Sequence, residues 1–465
     1  MMFTIAEIAA ATGGRIIGPA TGKVKNISTD SRTVMPGQLF VPLRGERFDG
    51  HAFIADVAAR GVTTLLAEEH WLKSHPAPKA VTCIAVKNTL KALGSLAAAW
   101  RRGFNIPVIG VTGSNGKTTV KEMLATILQQ TGPGLKTSGN LNNLIGLPQM
   151  LFQLLPEHRW AVLEMGMSEP GEIDRLAEIA RPRVGIVLNA LPAHLQSMGT
   201  VEAVAAAKGE LLNRISDNGL AVVNADDPRV ASLHQNPSAR RISFGIKRGE
   251  VRAREIETLG LEGQRFLLVT PKGESVVHLK ACGLHNIYNA LAATAALLEK
   301  VDLPVIVAGL EAFTPYKGRF QVEQINGITI IDDSYNANPA SVKAALETLS
   351  QVTAVGHRIA ILGDMLELGD HEIEAHQNVG ATAARNADKL YLLGKLMVKH
   401  AANGARLAEM PSESIFCGTD QNQIAHDLYN SLRENDVILV KGSRGMAMEQ
   451  VATELKKLIQ QGKEE

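Results

Sequence analysis

The segment that most restricts the fold is residues 106–128, with the sequence IPVIGVTGSNGKTTVKEMLATIL. Its first part, 106–111, is a short apolar run of the kind that forms a buried parallel strand. From Val120 to Leu128, apolar side chains recur at helical spacing. A glycine-rich turn between a strand and a helix N-terminus favours an anion, because free backbone N–H groups and the helix dipole point toward it. The segment therefore predicts a phosphate-binding loop.

The loop departs from the commonest phosphate-binding pattern in its spacing. That pattern has a glycine, four residues, and then Gly-Lys-Ser/Thr. Here the final triplet is Gly116-Lys117-Thr118, but Val111 occupies the position of the first glycine. Because the strand and the helix are in the right order, we predict that Lys117 supplies a cation to a phosphate and that the Thr118 hydroxyl binds Mg²⁺. The alternative is an ordinary strand-to-helix turn that contains Gly-Lys-Thr by chance.

Polar residues follow apolar runs repeatedly in the rest of the chain. They are Glu164, Asn189, Asn224, Asp332 with Asp333, Asp364 and Lys441. Helical stretches separate most of these runs, a layout typical of doubly wound α/β domains, whose ligands lie at the carboxyl ends of the strands. Any one of these residues could simply end a strand, but six in succession favour a site. Glu164 is the best candidate for a carboxylate ligand of Mg²⁺.

The length of the chain predicts several domains. At about 150 residues per domain, 465 residues suggest three, and we place them at 1–103, 104–313 and 314–465. The last boundary rests on Pro315 and Gly318, which interrupt a helical stretch. With 48 basic and 47 acidic residues, the composition gives no indication of a nucleic acid or an anionic membrane as partner. No apolar run is long enough to span a membrane.

The cysteines and the N-terminus predict a cytoplasmic protein. Cys83, Cys282 and Cys417 form no C-x-x-C pair, so we expect reduced, buried thiols. The first residues, MMFTIAEIAAATGG, lack the basic region and the apolar stretch of a signal peptide.

Composition and spacing alone predict an α/β enzyme that uses ATP and Mg²⁺, without choosing between hydrolysis, phosphoryl transfer and ligation. Two residues stay ambiguous at this level. A lone histidine such as His194 is more often a hydrogen-bonded loop residue than a ligand of Mg²⁺, since imidazole suits softer metals. Lys208, within VEAVAAAKGELLNRI, is by default a solvated lysine on a helix surface.

Together these residues resemble the Mur ligase family, ATP-dependent amide-forming enzymes that build the peptide stem of the peptidoglycan precursor. The family's phosphate loop is the short form T-G-[ST]-[NS]-G-K-[ST], which residues 112–118 match throughout. The missing glycine is therefore a family trait. The likeness covers nearly the whole chain and is strongest to the branch that joins D-alanyl-D-alanine to UDP-MurNAc-tripeptide.

This resemblance implies an α/β fold with three domains. They are a small N-terminal α/β domain for the UDP-substrate, a central doubly wound ATPase domain of the phosphate-loop type, and a C-terminal Rossmann-like domain. We expect a cytoplasmic monomer that acts on small molecules, with ATP and two Mg²⁺ ions. The resemblance leaves open whether the third stem residue is diaminopimelate or lysine.

The resemblance also implies metal ligands. LEMGMSEPGEI supports Glu164 as a ligand of Mg²⁺ together with Thr118, and NALPAHLQSMGT places His194 at the family's second metal position. AAAKGELL implies that Lys208 is carbamylated and binds metal through carboxylate-like oxygens. The implied catalytic residues are Lys117, Glu164, His194, Lys208 and Arg319. The family's P-G-R is interrupted before Arg319 by Tyr316 and Lys317.

Binding residues are implied in all three segments. Nucleotide contacts are implied for Gly113, Ser114, Asn115, Gly116, Lys117, Thr118, Thr119, Asn286, Asn289, Arg319, Asp333, Tyr335 and Asn336. Contacts with the UDP-substrate or D-Ala-D-Ala are implied for Ser28, Thr29, Asp30, Ser31, Arg32, Asn140, Asn142, Asn143, Asn338, Lys441 and Arg444. For any single Asn at 140–143, a loop position in the left-handed region is an equal alternative.

Three alternatives compete with this interpretation. The sequence DDPR at 226–229 resembles the D-[ND]-P-R motif of the branch that adds diaminopimelate, but there the motif lies in the third domain. Here it precedes GLHNIYNALAA, so we interpret it as a turn. A folylpolyglutamate synthase is disfavoured by the N-terminal STDSR, and a regulatory ATPase by the combination of Glu164, His194 and Lys208.

Overall fold

The computed structural model describes residues 2–45, 48–193, 195–352 and 354–462. Over these residues the chain forms an α/β architecture of three domains, with main sheets of five, nine and six strands. This confirms the predicted fold class. No helix among the described residues is long and apolar enough to cross a membrane.

The N-terminal domain has a mostly parallel sheet. Its strands, in spatial order, are Arg15–Ile17, Thr82–Val86, Thr64–Glu68, Gln38–Phe40 and Asn26–Ser28, the first being antiparallel to its neighbour. Phe3–Thr4 pairs separately with Lys23–Val24. The helices are Ile5–Thr12, Ile54–Ala59, Glu69–Leu72 and Thr89–Arg102. The two central strands are buried along their full length, as expected for a parallel sheet covered on both faces.

The central domain has a parallel sheet extended by an antiparallel edge. Its strands, in spatial order, are Leu135–Lys136, Ala161–Glu164, Val108–Thr112, Val184–Val187, Leu220–Asn224, Arg240–Gly245, Val251–Thr258, Gln264–Thr270 and Gly273–Leu279. Its helices are Lys117–Leu128, Gly146–Leu151, Glu172–Ala180, Leu195–Met198, Val201–Asn213, Pro228–Ala231, Leu284–Leu297 and Leu303–Ala312. The strand before the phosphate loop therefore lies between two parallel neighbours, where the loops after all three strands converge.

The C-terminal domain has a sheet that is parallel except at one edge. Its strands, in spatial order, are Gln321–Ile325, Ile328–Asp333, Val437–Lys441, Arg358–Gly363, Lys389–Leu393 and Ile415–Gly418. Its helices are Pro339–Ser350, Glu372–Asn386, Ala402–Leu407, Gln421–Ser431 and Glu449–Gln461, with a π-helical turn at Met397–Ala401. Helices end at Arg102 and Ala312, beside the predicted domain boundaries, whose exact positions stay predictions.

One prediction about the thiols is wrong. Cys83 and Cys282 are buried, but Cys417 is exposed. The reason is its position on Ile415–Gly418, the edge strand of the C-terminal sheet, which has a neighbour on one side only.

Candidate active site

A cleft of about 770 Å³ lies between the central and C-terminal domains. Most of the residues predicted to bind nucleotide, metal or substrate line it. They are Ser114, Asn115, Gly116, Lys117, Thr118, Thr119, Asn140, Asn142, Asn143, Glu164, Lys208, Asn286, Asn289, Arg319, Asp333, Tyr335, Asn336, Asn338, Lys441 and Arg444. The chain thus brings together side chains that are up to 330 positions apart, from Ser114 to Arg444.

A few predicted residues are not among those lining the cleft. Gly113 contributes its carbonyl to the phosphate loop, as described below, and residues 28–32 lie on the N-terminal domain. His194 lies outside the described residues.

The phosphate loop is held in a fixed shape by Asn189, which follows the neighbouring strand. The Asn115 N–H donates to Asn189 Oδ1 at 2.9 Å, and Asn189 Nδ2 donates to the Asn115 carbonyl at 3.2 Å. Gly116 has φ +87°, and a Cβ there would lie 2.4 Å from Asn289 Oδ1. Only glycine fits this position, because the backbone conformation and the close approach of Asn289 both exclude a side chain. Asn289 therefore lies directly against the loop.

Lys117 occupies the loop itself. It begins the helix Lys117–Leu128, and its Nζ donates to the Gly113 carbonyl at 2.6 Å. Burial lowers its pKa to about 8, with Glu164 opposing the shift and Arg319 adding to it. An ammonium group in this place is available to an anionic phosphate above the helix N-terminus.

Thr118, Glu164 and Arg319 form a cluster next to the loop. The Thr118 hydroxyl donates to Glu164 Oε2 at 3.3 Å and accepts from Arg319 Nη2 at 3.3 Å. The guanidinium carbon of Arg319 lies 4.0 Å from the centre of the Tyr335 ring, which holds the side chain by stacking. The interruption before Arg319 does not prevent this side chain from reaching the loop.

The Thr118 and Glu164 oxygens fit the ligand chemistry of Mg²⁺. Both are hard donors, and Glu164 Oε1 is buried without a hydrogen bond in the described structure. Within the described ranges, no group of three or more His, Cys, Asp or Glu side chains has the arrangement of a metal site. The donors of this cluster are thus a hydroxyl and one carboxylate.

Lys208 differs from the default expectation of a solvated surface lysine. It lies on the helix Val201–Asn213, lines the cleft and is 2% exposed. Burial, and secondarily the nearby Lys117, lower its pKa well below the usual value. Both effects favour the neutral amine.

The two domains meet through an amide pair. Asn338 Nδ2 donates to Asn115 Oδ1 at 2.7 Å, and Asn115 Nδ2 donates to Asn338 Oδ1 at 3.3 Å. Asn338 also caps the helix Pro339–Ser350, because its Oδ1 accepts from the Ser341 N–H. The phosphate loop is therefore connected directly to a helix start of the C-terminal domain.

Lys441 and Asp333 end neighbouring strands and form an ion pair at 2.6 Å, in which Lys441 is buried and Asp333 half-buried. Lys441 Nζ also donates to the Asn336 carbonyl at 3.0 Å, and the Arg444 N–H donates to Asn336 Oδ1 at 3.2 Å. Lys441, predicted to contact substrate, is thus held by the nucleotide-side residues Asp333 and Asn336.

Residues 28–32 run from the end of the strand Asn26–Ser28 into a turn of the N-terminal domain, which is half-buried up to Ser31 and exposed at Arg32. Arg32 Nε and Nη2 donate to the two Asp30 oxygens at 2.9 and 2.8 Å. These hydrogen bonds lower the pKa of Asp30 to about 2. Thr29 accepts from Gln149 Nε2 at 3.1 Å and so joins this turn to the central domain.

The sequence did not predict several residues at the cleft. In DDPR, Asp227 caps the short helix Pro228–Ala231, in keeping with a turn, and Asp226 accepts from the Tyr288 hydroxyl at 2.8 Å. Both carboxylates line the cleft. Lys121 lies buried against Glu164. The Asp226–Tyr288 and Lys121–Glu164 contacts each join residues from different elements, so no local sequence pattern contains them.

Comparisons with known proteins give the same family along nearly the whole chain. Family models match as follows: "Mur ligase family, catalytic domain" over residues 23–101, "Mur ligase middle domain" over 111–297, and "Mur ligase, glutamate ligase domain" over 318–444. A UDP-N-acetylmuramoyl-tripeptide–D-alanyl-D-alanine ligase from Escherichia coli (strain K12) is 37% identical over 460 residues, which cover 97% of this chain and 98% of the relative.

Solved structures agree. The crystal structure of MurF from Acinetobacter baumannii superposes with a TM-score of 0.89 at 36% identity, covering 98% of this chain and 99% of that one. The MurF ligase from Thermotoga maritima in complex with ADP gives 0.82 at 29% identity, covering 94% and 98%. These matches agree with the phosphate loop and the cleft, and they show that the chain belongs to the Mur ligase family.

Proposed function

We propose that this protein is an ATP-dependent ligase that joins D-alanyl-D-alanine to the carboxylate of UDP-MurNAc-tripeptide. The products are UDP-MurNAc-pentapeptide, ADP and phosphate, a step in the synthesis of peptidoglycan precursors. The proposal is supported above all by the cleft, in which Lys117, Glu164 and Arg319 surround one phosphate loop. It is further supported by near full-length relatives with this activity.

The chemistry explains why ATP is needed. A carboxylate is a poor acyl donor because oxide is a poor leaving group. Transfer of the γ-phosphate to the carboxylate gives an acyl phosphate, and attack by the amine of D-Ala-D-Ala then forms the amide and releases phosphate. The protein mainly positions the reactants and stabilises the charge of the transferred group.

The chain's own cations suit that task. Lys117 starts the helix at the phosphate loop, and Arg319 reaches Thr118 from the C-terminal domain. We assign both to the γ-phosphate, so that transfer requires the two domains to be together. The amide pair between Asn115 and Asn338 supports the same requirement, since it joins the loop to the other domain.

Metal ions enter this proposal through the cleft residues Thr118, Glu164 and Lys208 and, from the family resemblance alone, through His194. We assign Thr118 and Glu164 to one Mg²⁺, and His194 with a carbamylated Lys208 to a second. Bound Mg²⁺ would neutralise charge on the phosphates. Carbamylation needs a neutral amine, and the burial of Lys208 favours that form.

The amine donor follows from the branch of the family. We propose that D-Ala-D-Ala is used far better than meso-diaminopimelate or L-lysine. The stretches NANPAS at 336–341 and KGSRGM at 441–446 resemble that branch, DDPR lies outside the third domain, and Asn336, Lys441 and Arg444 line the cleft. We further propose that the enzyme acts as a monomer in the cytoplasm. The third residue of the tripeptide stays open between diaminopimelate and lysine.

Product analysis tests the proposal. The protein is incubated with MgATP, UDP-MurNAc-tripeptide and D-Ala-D-Ala, and the product is identified by mass spectrometry. We expect the pentapeptide, and phosphate release only when carboxylate and amine are both present. Equal phosphate release without the amine would favour a regulatory ATPase, and efficient addition of a single diamino acid to the UDP-dipeptide would favour another branch.

A further inference from the structure

Lys121 is a buried lysine on a helix that starts at the phosphate loop. It lies one turn after Lys117 on Lys117–Leu128, and only 1% of it is exposed. A lysine is almost never fully buried unless its ammonium group is paired. The partners of Lys121 therefore indicate why it is there.

The ammonium group of Lys121 has three partners. It donates to the Thr137 carbonyl at 2.9 Å, and it lies 2.8 Å from Glu122 Oε1 and 3.4 Å from Glu164 Oε1. The Tyr316 ring, 5.4 Å away, covers it from the segment that leads to the C-terminal domain. The contact with the Thr137 carbonyl is a hydrogen bond, and the two carboxylate contacts are ion pairs.

The two carboxylate oxygens of Glu164 contact different residues. Oε2 faces the Thr118 hydroxyl in the cleft, whereas Oε1 faces Lys121 and has no hydrogen bond within the described structure. The backbone of Glu164 is held as well, because its N–H donates to the Thr137 hydroxyl at 2.9 Å. Thr137 thus contacts both Glu164 and Lys121.

Thr137 also connects this group to the predicted substrate residues. It immediately precedes the loop that carries Asn140, Asn142 and Asn143. The Asn142 carbonyl accepts from the Gly166 N–H at 2.9 Å, two residues after Glu164. Lys121, Thr137 and Glu164 therefore join the nucleotide side of the cleft to its substrate side.

We propose that Lys121 is a positioning residue that orients Glu164 so that Oε2 faces Thr118 and the Mg²⁺ that this pair would hold. The inference rests on the proposed function. Lys121 contacts neither nucleotide nor substrate in this role. It acts through Glu164, as residues behind a metal ligand commonly do.

A role through charge and a role through orientation predict opposite effects on Mg²⁺ binding when Lys121 is removed. If the lysine acted only through its charge, removing a cation 3.4 Å from Glu164 would make the site more negative and strengthen Mg²⁺ binding. If it orients the carboxylate, its removal weakens Mg²⁺ binding. The response to Mg²⁺ therefore separates the two roles.

The test compares Lys121→Met with the wild-type protein by calorimetric titration of ADP, with and without Mg²⁺. Affinity for metal-free ADP should stay within about threefold, because the variant leaves the phosphate loop unchanged. The gain in ADP affinity caused by Mg²⁺ should fall about tenfold or more, the range found for residues behind a metal ligand. An unchanged or larger gain would overturn the proposal.

Two further variants control for the neighbouring Glu122. Lys136 pairs with Glu122 from a side chain that is 38% exposed, so Lys136→Met should keep the wild-type response to Mg²⁺. In Lys121→Met, Glu122 loses its ion-pair partner Lys121. The double variant Lys121→Met/Glu122→Gln also removes the charge of Glu122, so any effect of that unpaired carboxylate disappears. It should stay impaired, and recovery of the Mg²⁺ response would show that Lys121 serves Glu122 instead.

Thermal unfolding of each variant completes the test. If Lys121→Met does not fold, the Mg²⁺-dependent gain in ADP affinity is measured on the double variant. If neither variant folds, the lysine is needed for folding and the proposal fails. A wild-type protein with no Mg²⁺-dependent gain in ADP affinity would instead refute the proposed function. Failure of this inference alone leaves wild-type ligation and the wild-type Mg²⁺ response intact.

Discussion

The phosphate loop is predicted to bind the phosphates of ATP and residues 28–32 to lie near the UDP of the other substrate, but the contacts that support the two segments differ. The loop is supported by Asn189 from a neighbouring strand and by Asn289 from a helix. In the N-terminal turn, Asp30 and Arg32 pair with each other, with side chains 38% and 86% exposed. One site is fixed by the packing of several elements, and the other mainly by local contacts.

This difference changes the strength of the electrostatic interactions at the two sites. In the cleft, ionic groups are shielded from water, so each charge acts strongly on its neighbours. In the N-terminal turn, solvent screens the exposed ion pair of Asp30 and Arg32, which contributes little to stability. We therefore expect substitutions in the cleft to change chemistry by orders of magnitude, and substitutions in the turn to change only the binding of one substrate.

The largest effect is expected for Lys117→Ala. Loss of the cation at the helix start should reduce ligation about a thousandfold or more, as removal of a cation from a transferred phosphate does elsewhere. The side chain is half-buried in the loop and outside the core, so the cooperative melting transition should remain. Steady-state rates and thermal unfolding check both points, and a normal turnover or a lost transition would contradict them.

A second large effect is expected for Lys208→Ala. We predict about a hundredfold loss or more, with partial rescue by acetate or formate, whose oxygens replace those of the carbamate. Activity of the wild-type protein should also depend on bicarbonate. Lys208→Arg is the matched control, because it keeps a positive charge but cannot be carbamylated in the same way. Near-normal activity of Lys208→Arg would refute the carbamate.

Sequence alone predicted the parts of the cleft that follow from local order. The strand, the loop and the helix around Lys117 lie within 23 consecutive residues. The polar ends of the strands were also predictable, because parallel strands place their carboxyl ends at one edge. Glu164, Asp333 and Lys441 are indeed the last residues of their strands.

The contacts between distant elements could not be predicted in this way. Asn115 and Asn338 are 223 positions apart, and neither sequence neighbourhood contains a sign of the other. Lys121 and Lys208 each sit on a helix, where a lysine is usually solvated. Their burial depends on which helix face the sheet and the second domain cover. The exposure of Cys417 depends in the same way on the position of its strand at the sheet edge.

An intermediate effect is expected from pH, because it changes the charge of Lys117 without removing the side chain. The pKa of Lys117 is lowered to about 8 by burial. A phosphate favours the ammonium form, so affinity for metal-free ADP is full below this pKa and decreases as pH rises through it. We expect about a tenfold loss between pH 7 and pH 9. Calorimetry at several pH values measures it.

The control for this pH dependence is Lys117→Arg. Guanidinium remains charged over this pH range, so the variant should bind ADP with little dependence on pH, even where its affinity is lower. A wild-type affinity that is flat from pH 7 to pH 9 would show that Lys117 keeps its charge in the free protein or does not contact the phosphates.

The smallest effect is expected for Arg32→Ala in the N-terminal turn. The ion pair with Asp30 is exposed, so its loss should leave the denaturation midpoint nearly unchanged. If Arg32 faces the UDP phosphates, KM for the UDP-substrate should rise about three- to tenfold, the effect of one solvent-exposed charge on binding, while kcat and KM for ATP stay the same.

Asp30→Asn is the matched variant, because it weakens the pair but leaves the cation, and it should leave KM for the UDP-substrate close to the wild-type value. Equal changes in both variants would mean that the shape of the turn, rather than the charge of Arg32, is what the substrate requires. A decrease in kcat for Arg32→Ala would show that the turn affects the chemistry in the cleft. It would therefore contradict the expected difference, in which substitutions in the turn change only the binding of one substrate.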